Sequence, residues 1–140
     1  MSYKLIDHSD EVNRRLDSAI EAALEAIGNQ AVSHAKSNIT EAGRVDTGTL
    51  RNSISHHVEE SEKAVYVGTN VEYAIYNEFG TGVYAEGGRG RKSPWFYVDE
   101  KGQGHYTHGM RPIHFLKRAA QDHAKEYRDI AAGILHKDMK

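Results

Sequence analysis

The chain has 140 residues with 39% hydrophobic content, a formal net charge of −2 and no cysteine. Eighteen basic residues against 20 acidic ones exclude the broad cationic surface of a dedicated nucleic-acid binder, leaving room only for a local basic patch. The lack of cysteine excludes a disulfide framework and any cysteine-ligated zinc.

A chain of this length fits one ordinary domain, expected to span residues 1–140. It buries roughly two-thirds of its unfolded surface. With a mean hydropathy of −0.68 its core must be modest and its surface polar. Residues 1–12 hold no apolar run of the secretory kind. Nowhere do the ~20 apolar residues of a membrane-spanning helix occur together, so a soluble protein with no membrane partner is expected.

From Asp10 to about Ala42, apolar residues recur at three- and four-residue steps: Val12, Leu16, Ile20, Leu24, Ile27, Ala31, Ala35 and Ile39. Ala19 and Ala23 widen the stripe. This is the period of an amphipathic helix. Ser9 suits its N-cap, and Asp10 and Glu11 oppose the helix dipole. Gly28-Asn29 interrupts the run at a cost of about 1 kcal/mol relative to alanine, which leaves open a kink or two consecutive helices.

After Gly43, Asp46 or Thr47 can cap a short helical turn through Arg51. Thr47-Gly48 lets the backbone turn sharply, and Leu50 and Ile54, four apart, pin that turn to the core. Ile54–Glu59 and Ala64–Thr69 read as a hairpin joined by Glu60-Ser61-Glu62-Lys63. Tyr73, Tyr76 and Phe79 at three-residue steps suit a short helix ended by Gly80. Gly80–Ser93 is glycine-rich, carries Arg89, Arg91 and Lys92, and is expected to be a mobile loop.

Trp95–Val98 and His105–Thr107 form a second predicted hairpin. Pro112 then precedes a last helix whose apolar stripe runs through Phe115, Leu116, Ala119, Ala120, His123, Tyr127, Ile130, Ile134 and Leu135. The fold class is α+β: a long N-terminal helix and a C-terminal helix on a small antiparallel sheet, with a protruding loop and hairpin over 80–108.

Reactive centres do not emerge from this pattern. His105-x-x-His108 and His56-His57 are the closest histidine pairs, but an i,i+3 pair on a strand points to opposite faces. HExxH is absent, and a zinc site needs three or four convergent ligands. Ser53 and Ser55 near His56 and His57 make no triad by proximity alone. Glu59-Glu60 would diverge on a strand. The segment from Gly87 to Ser93 lacks Walker A spacing and meets Pro94 instead of a helix. It is either a solvated loop or, through Arg89, Arg91 and Lys92, a phosphate or DNA-channel contact. No catalytic, cofactor or metal site is read. The dense aromatic set (Tyr73, Tyr76, Phe79, Tyr84, Trp95, Phe96, Tyr97) divides between core, expected for about half, and binding surface.

Three segments in order resemble one family. They are Val45-Asp46-Thr47-Gly48-Thr49-Leu50-Arg51-Asn52-Ser53-Ile54; Val67 to Ala74 with Tyr76, Glu78, Phe79, Gly80, Thr81 and Gly82; and Arg111-Pro112-Ile113-His114-Phe115-Leu116-Lys117-Arg118-Ala119. Together, over about residues 45–120, they resemble the tail-completion or head–tail joining proteins of long-tailed bacteriophages, the lambdoid "gene product ten"-like group. The hairpin from Trp95 to His108 is similar to an insertion common in that group. Ile75 stands where members often have proline, and His114 where they have another polar residue.

The resemblance implies a structural, non-enzymatic virion protein of a phage or prophage, assembled in the bacterial cytoplasm and placed at the neck or head-proximal tail end. Its implied partners are copies of itself in a hexameric ring, neighbouring neck, tail-terminator and tail-tube proteins, and DNA by proximity. The motif residues Thr47, Gly48, Leu50, Arg51, Tyr73, Tyr76, Glu78, Phe79, Gly80, Thr81, Gly82, Pro112, Phe115 and Leu116 become scaffold and interface candidates. Gly80 and Gly82 are expected to permit close approach by another chain, and the free protein is expected to be monomeric until the tail tube templates the ring. A small nucleic-acid-binding module is the rival reading, and a metal-dependent hydrolase the distant third.

Overall fold

The computed structural model describes residues 9–44, 48–98 and 101–139. The first element, α1, is one helix from Ser9 to Glu41. Ser9, expected as its N-cap, is itself helical and is the first of the described residues. Gly28 does not break it. A Cβ at Gly28 would collide with the His56 ring and Val65, so the glycine is where the first hairpin presses against the helix backbone. One turn earlier, Glu25 Oε2 lies 2.7 Å from His56 Nε2. The cost of a mid-helix glycine is thus offset by close packing against the sheet.

The buried face of α1 is made of small residues: Ala19, Ala23, Gly28, Ala31 and Ala35, then Asn38 and Ile39. The larger apolar residues at its N-terminal end lie to one side, with Val12 45% and Leu16 36% exposed. The expected stripe and the buried face therefore share Ala19, Ala23, Ala31, Ala35 and Ile39 and diverge at the N-terminal end, at Val12 and Leu16. Alanines let another helix approach closely, and the bulky side chains are left at the edge.

Next come α2 (Thr49–Ser53), β1 (Ser55–Glu59) and β2 (Ala64–Gly68). The strands pair antiparallel, with His57 opposite Tyr66. The expected caps Asp46 and Thr47 lie outside the described residues; Gly48, with φ 84°, stands at the N-cap of α2. α3 (Ala74–Phe79) ends at Gly80, whose amide donates to the Tyr76 carbonyl at 2.9 Å. A second, separate hairpin follows as β3 (Trp95–Val98) and β4 (Gly104–Thr107). Its Phe96, Val98 and Tyr106 are exposed by 56%, 58% and 81%.

The C-terminal part is two helices, α4 (Phe115–Gln121) and α5 (Ala124–Asp138), where the apolar period predicts one. The chain breaks at Asp122-His123, where His123 takes non-helical angles (φ −117°, ψ 24°). Tyr127 bridges the elbow: its hydroxyl donates to the Ala119 carbonyl. Burial, helped by the nearby Glu126 charge, pushes that hydroxyl up to about 12, so it stays a proton donor.

α5 runs antiparallel to α1, as Arg15 donating to the Asp138 carbonyl (3.0 Å) and His34 meeting Glu126 (2.9 Å) mark its two ends. The core gathers at the C-terminal half of α1, from Ala35, Ile39, Leu50, Ile54, Ala74, Phe115 and Ala119. Phe115 is fully buried, and burying such a ring contributes about 1.5–3 kcal/mol.

Candidate interaction surface

Asn77 and Glu78 on α3 are buried and hold the surroundings of the surface in place. The Glu78 carboxylate accepts the amide hydrogens of Leu116 (3.0 and 3.1 Å) and Lys117 (3.0 Å). These are orphan donors of the first turn of α4, so a negative group there is favoured by both hydrogen bonding and the helix dipole. The chain enters α4 through His114 at positive φ (49°), a conformation histidine visits more readily than most residues. Asn77 accepts from the Arg44 guanidinium at 3.1 Å, and Arg44 also donates to the Arg111 carbonyl at 2.7 Å. Burial holds that guanidinium below its ordinary value.

With its inward side anchored, α3 turns its other side outward. Tyr73, Ile75, Tyr76 and Phe79 are exposed by 38%, 56%, 50% and 52%. Val83 and Tyr84 are exposed just beyond, with the Arg111 guanidinium 4.6 Å from the Tyr84 ring centroid. Of the seven aromatics singled out in sequence, none is buried; Trp95 is half-buried and the rest are exposed. The expectation that half would be core is corrected: α3 is too short to bury two faces, and the core is filled by alanines, Ile39 and Phe115.

Beside this ridge lies an open groove of about 820 Å³. It brings together three stretches distant in sequence: Leu50 and Arg51 from the first motif, Tyr73 and Tyr76 from the second, and Trp95 and Tyr97 from the hairpin. Arg51 is exposed at its edge.

Gly80, Thr81 and Gly82 lie inward, not at a free surface. The Thr81 amide donates to the Met110 carbonyl (2.9 Å), the Val83 amide to the His108 carbonyl (3.0 Å), and the Met110 amide to the Thr81 side chain (2.9 Å). Gly82, at φ 61°, has no room for a Cβ because the His108 carbonyl occupies the space. The close approach expected from another chain is made by this chain's own 108–110 segment. In the segment expected to be a mobile loop, 81–83 is hydrogen-bonded to 108–110, one 3₁₀ turn lies at 82–84 and a second at 86–88, and the excursion leaves and returns at one base.

Arg89, Arg91 and Lys92 lie on that excursion and are exposed. Arg91 donates to Ser93 (3.2 Å) and sits 5.6 Å from the Trp95 ring centroid. Of the other motif residues, Thr47 lies outside the described residues. Gly48, Pro112 and Leu116 are half-buried, and Leu50 and Phe115 are core. Sequence reasoning missed Arg44, which no periodicity distinguishes, and the capping role of Glu78, which requires knowing that α3 abuts α4.

The family model for Bacteriophage HK97-gp10, tail component, matches residues 4–80, more than half of the chain. The chain belongs to the HK97-gp10-like family. It is therefore a bacteriophage tail component and a protein of the virion. The matched stretch takes in α1, which carries no short motif of its own, and ends at the Gly80 that closes α3. Neither a curated protein nor a solved structure matches the chain. Among the described residues of this tail component, no helix is long and apolar enough to cross a membrane.

Proposed function

We propose that this tail component is a ring subunit at the head-proximal end of the tail, needed for tail completion and for joining the tail to the head. The observation that carries the reading is the exposed ridge of Tyr73, Ile75, Tyr76 and Phe79 on α3. A contiguous apolar patch rimmed by polar residues marks an interaction surface, and tyrosine suits contacts with one apolar and one wet end.

A ring requires each subunit to offer one patch to a different patch on the next. Val12 and Leu16, exposed at the start of α1, supply a second apolar patch. The roughly 25 helical residues from Leu16 to the α3 end of α1 rise about 35–40 Å, so the two patches stand far apart on the subunit. That separation favours head-to-tail contacts over a two-fold dimer. The β3–β4 hairpin and the 85–93 excursion are the parts free to order against neck, tail-terminator or tail-tube neighbours. Many weak contacts repeated around the ring add up to avidity.

Electron microscopy of particles made without the gene tests this reading. Filled heads beside unattached tails are expected; joined, infectious particles would refute it.

The second reading, nucleic-acid contact, is favoured by one observation: Arg89, Arg91 and Lys92 are all exposed on a single excursion. Salt-dependent retention of the isolated protein on DNA, steep in ionic strength, would support it.

A further inference from the structure

Among the described residues, one place gathers three metal-ligating side chains, and it lies away from the α3 ridge. His34 projects from α1, His123 stands at the elbow between α4 and α5, and Glu126 is on the first turn of α5. One ligand atom from each lies within 4.8 Å of the other two. His34 Nε2 is 2.9 Å from Glu126 Oε2, and His123 Nδ1 is 3.6 Å from the same oxygen. The side chains keep 20%, 33% and 37% of their surface, so the cluster is half-buried with an open edge. The sequence did not single them out as ligands: His123 and Glu126 are only three residues apart, but His34 lies far away along the chain on another helix, and His123 reads there as part of an apolar stripe. The histidine pairs that did stand out are engaged elsewhere: His56 with Glu25, His57 with Glu59, and His105 against Tyr97.

We propose that His34, His123 and Glu126 bind a divalent transition-metal cation of the zinc class, which pins α1 to the α4–α5 elbow. Two imidazoles and one carboxylate are a donor set that zinc accepts. Calcium and magnesium instead require oxygen ligands nearly throughout. Zinc bonds of about 2.0–2.1 Å in a tetrahedron place ligand atoms about 3.3 Å apart, and the observed 2.9 and 3.6 Å separations bracket that value. The fourth position falls to water at the open edge.

The imidazole rings lie parallel, with centroids 3.4 Å apart and planes within 4°. A cation lies in the plane of an imidazole along the nitrogen lone pair, so binding must tilt the two rings away from the stack. Tyr127 flanks both, at 6.2 and 6.3 Å between centroids, and its hydroxyl ties the elbow to Ala119. The ligands thus come from two elements whose separation the cation would limit, which is the arrangement of a structural tie. The site is distinct from the joining surface, and its presence or absence leaves that reading untouched.

The test uses the full chain purified without a histidine tag and titrated with zinc chloride against a chromophoric chelator, with cobalt(II) as the spectroscopic probe. One zinc per chain is expected, with a tetrahedral cobalt(II) absorption band and a melting temperature raised by zinc. His34→Gln, His123→Gln and Glu126→Gln, each checked for native circular dichroism, should each weaken zinc binding at least about tenfold. A His105→Gln/His108→Gln control should bind like the wild type. Failure of the wild-type chain to bind one zinc, equal binding by folded His34→Gln and His123→Gln chains, or loss of binding in the control would each overturn the proposal.

Discussion

The buried Glu78 carboxylate receives the Leu116 amide through both of its oxygens, at 3.0 and 3.1 Å. That contact joins a residue of the second sequence motif to one of the third. It explains why the two motifs, separated by the whole 80–110 excursion, act as one unit. The inward side of α3 caps α4, and so the outward side is held rigidly at the surface.

Glu78→Ala should therefore destabilise the fold by about 1–2 kcal/mol, since it removes a helix cap and leaves part-buried amides without a side-chain acceptor. Glu78→Gln keeps one acceptor oxygen and should cost less. Chemical denaturation of both variants checks this. Equal stability of Glu78→Ala and wild type would remove the capping account.

Two glycine substitutions should act in opposite directions. Gly82→Ala places a Cβ against the His108 carbonyl on a left-handed backbone, and should destabilise by at least about 1–2 kcal/mol. At Gly133, inside α5, an added Cβ would meet nothing within 4 Å. Gly133→Ala should stabilise by about 0.8–1 kcal/mol through helix propensity. Thermal melts of the pair give the comparison.

Glu21 on α1 is raised above its ordinary 4.5, first by a side-chain hydrogen bond with Glu60 and then by the charge of that carboxylate. The folded chain holds this proton more tightly than the unfolded chain. The contribution is present below the ordinary value and is lost as pH rises through the raised one. Glu60→Gln removes the charge repulsion. Its melting temperature relative to wild type should therefore rise as pH is taken upward through that window. A difference independent of pH would show that the two carboxylates do not interact.

Arg89→Gln/Arg91→Gln/Lys92→Gln should leave stability within about 0.5 kcal/mol of wild type, because all three are exposed. Excising the segment from Gly80 onward is a poorer test, since the amides of Thr81 and Val83 belong to the pairing with 108–110. If the excursion touches DNA or a neighbour, the triple variant folds normally and joins tails poorly. Normal joining by a folded triple variant would assign these cations to solvent alone.

The elements with a strong local period are legible in the sequence alone. The long helix, the first hairpin, the short helix ended by Gly80 and the second hairpin all lie within a residue or two of where apolar spacing and turn residues put them. Local rules fail where contacts between distant segments decide. Gly28 looks like an interruption until His56 and Val65 are seen against it. The break at His123 has no proline or glycine to announce it; Tyr127 reaching Ala119 stabilises it. Thr81 and Gly82 look like a loop because their partners sit at 108–110. The surface is half legible: the aromatic positions of α3 are visible, but their exposure depends on Asn77 and Glu78 taking the inward side.

The joining role rests on the α3 ridge acting as a contact surface and not as spare hydrophobic area. The most direct measurement is the yield of infectious particles from a phage or prophage carrying Tyr76→Asp/Phe79→Asp, with the purified variant melted in parallel. The expected result is a melting temperature close to wild type and a particle yield reduced on the order of a hundredfold or more, the loss of a few interface anchors at ~1.4 kcal/mol per tenfold. A folded variant that gives wild-type numbers of joined, infectious particles would contradict the account.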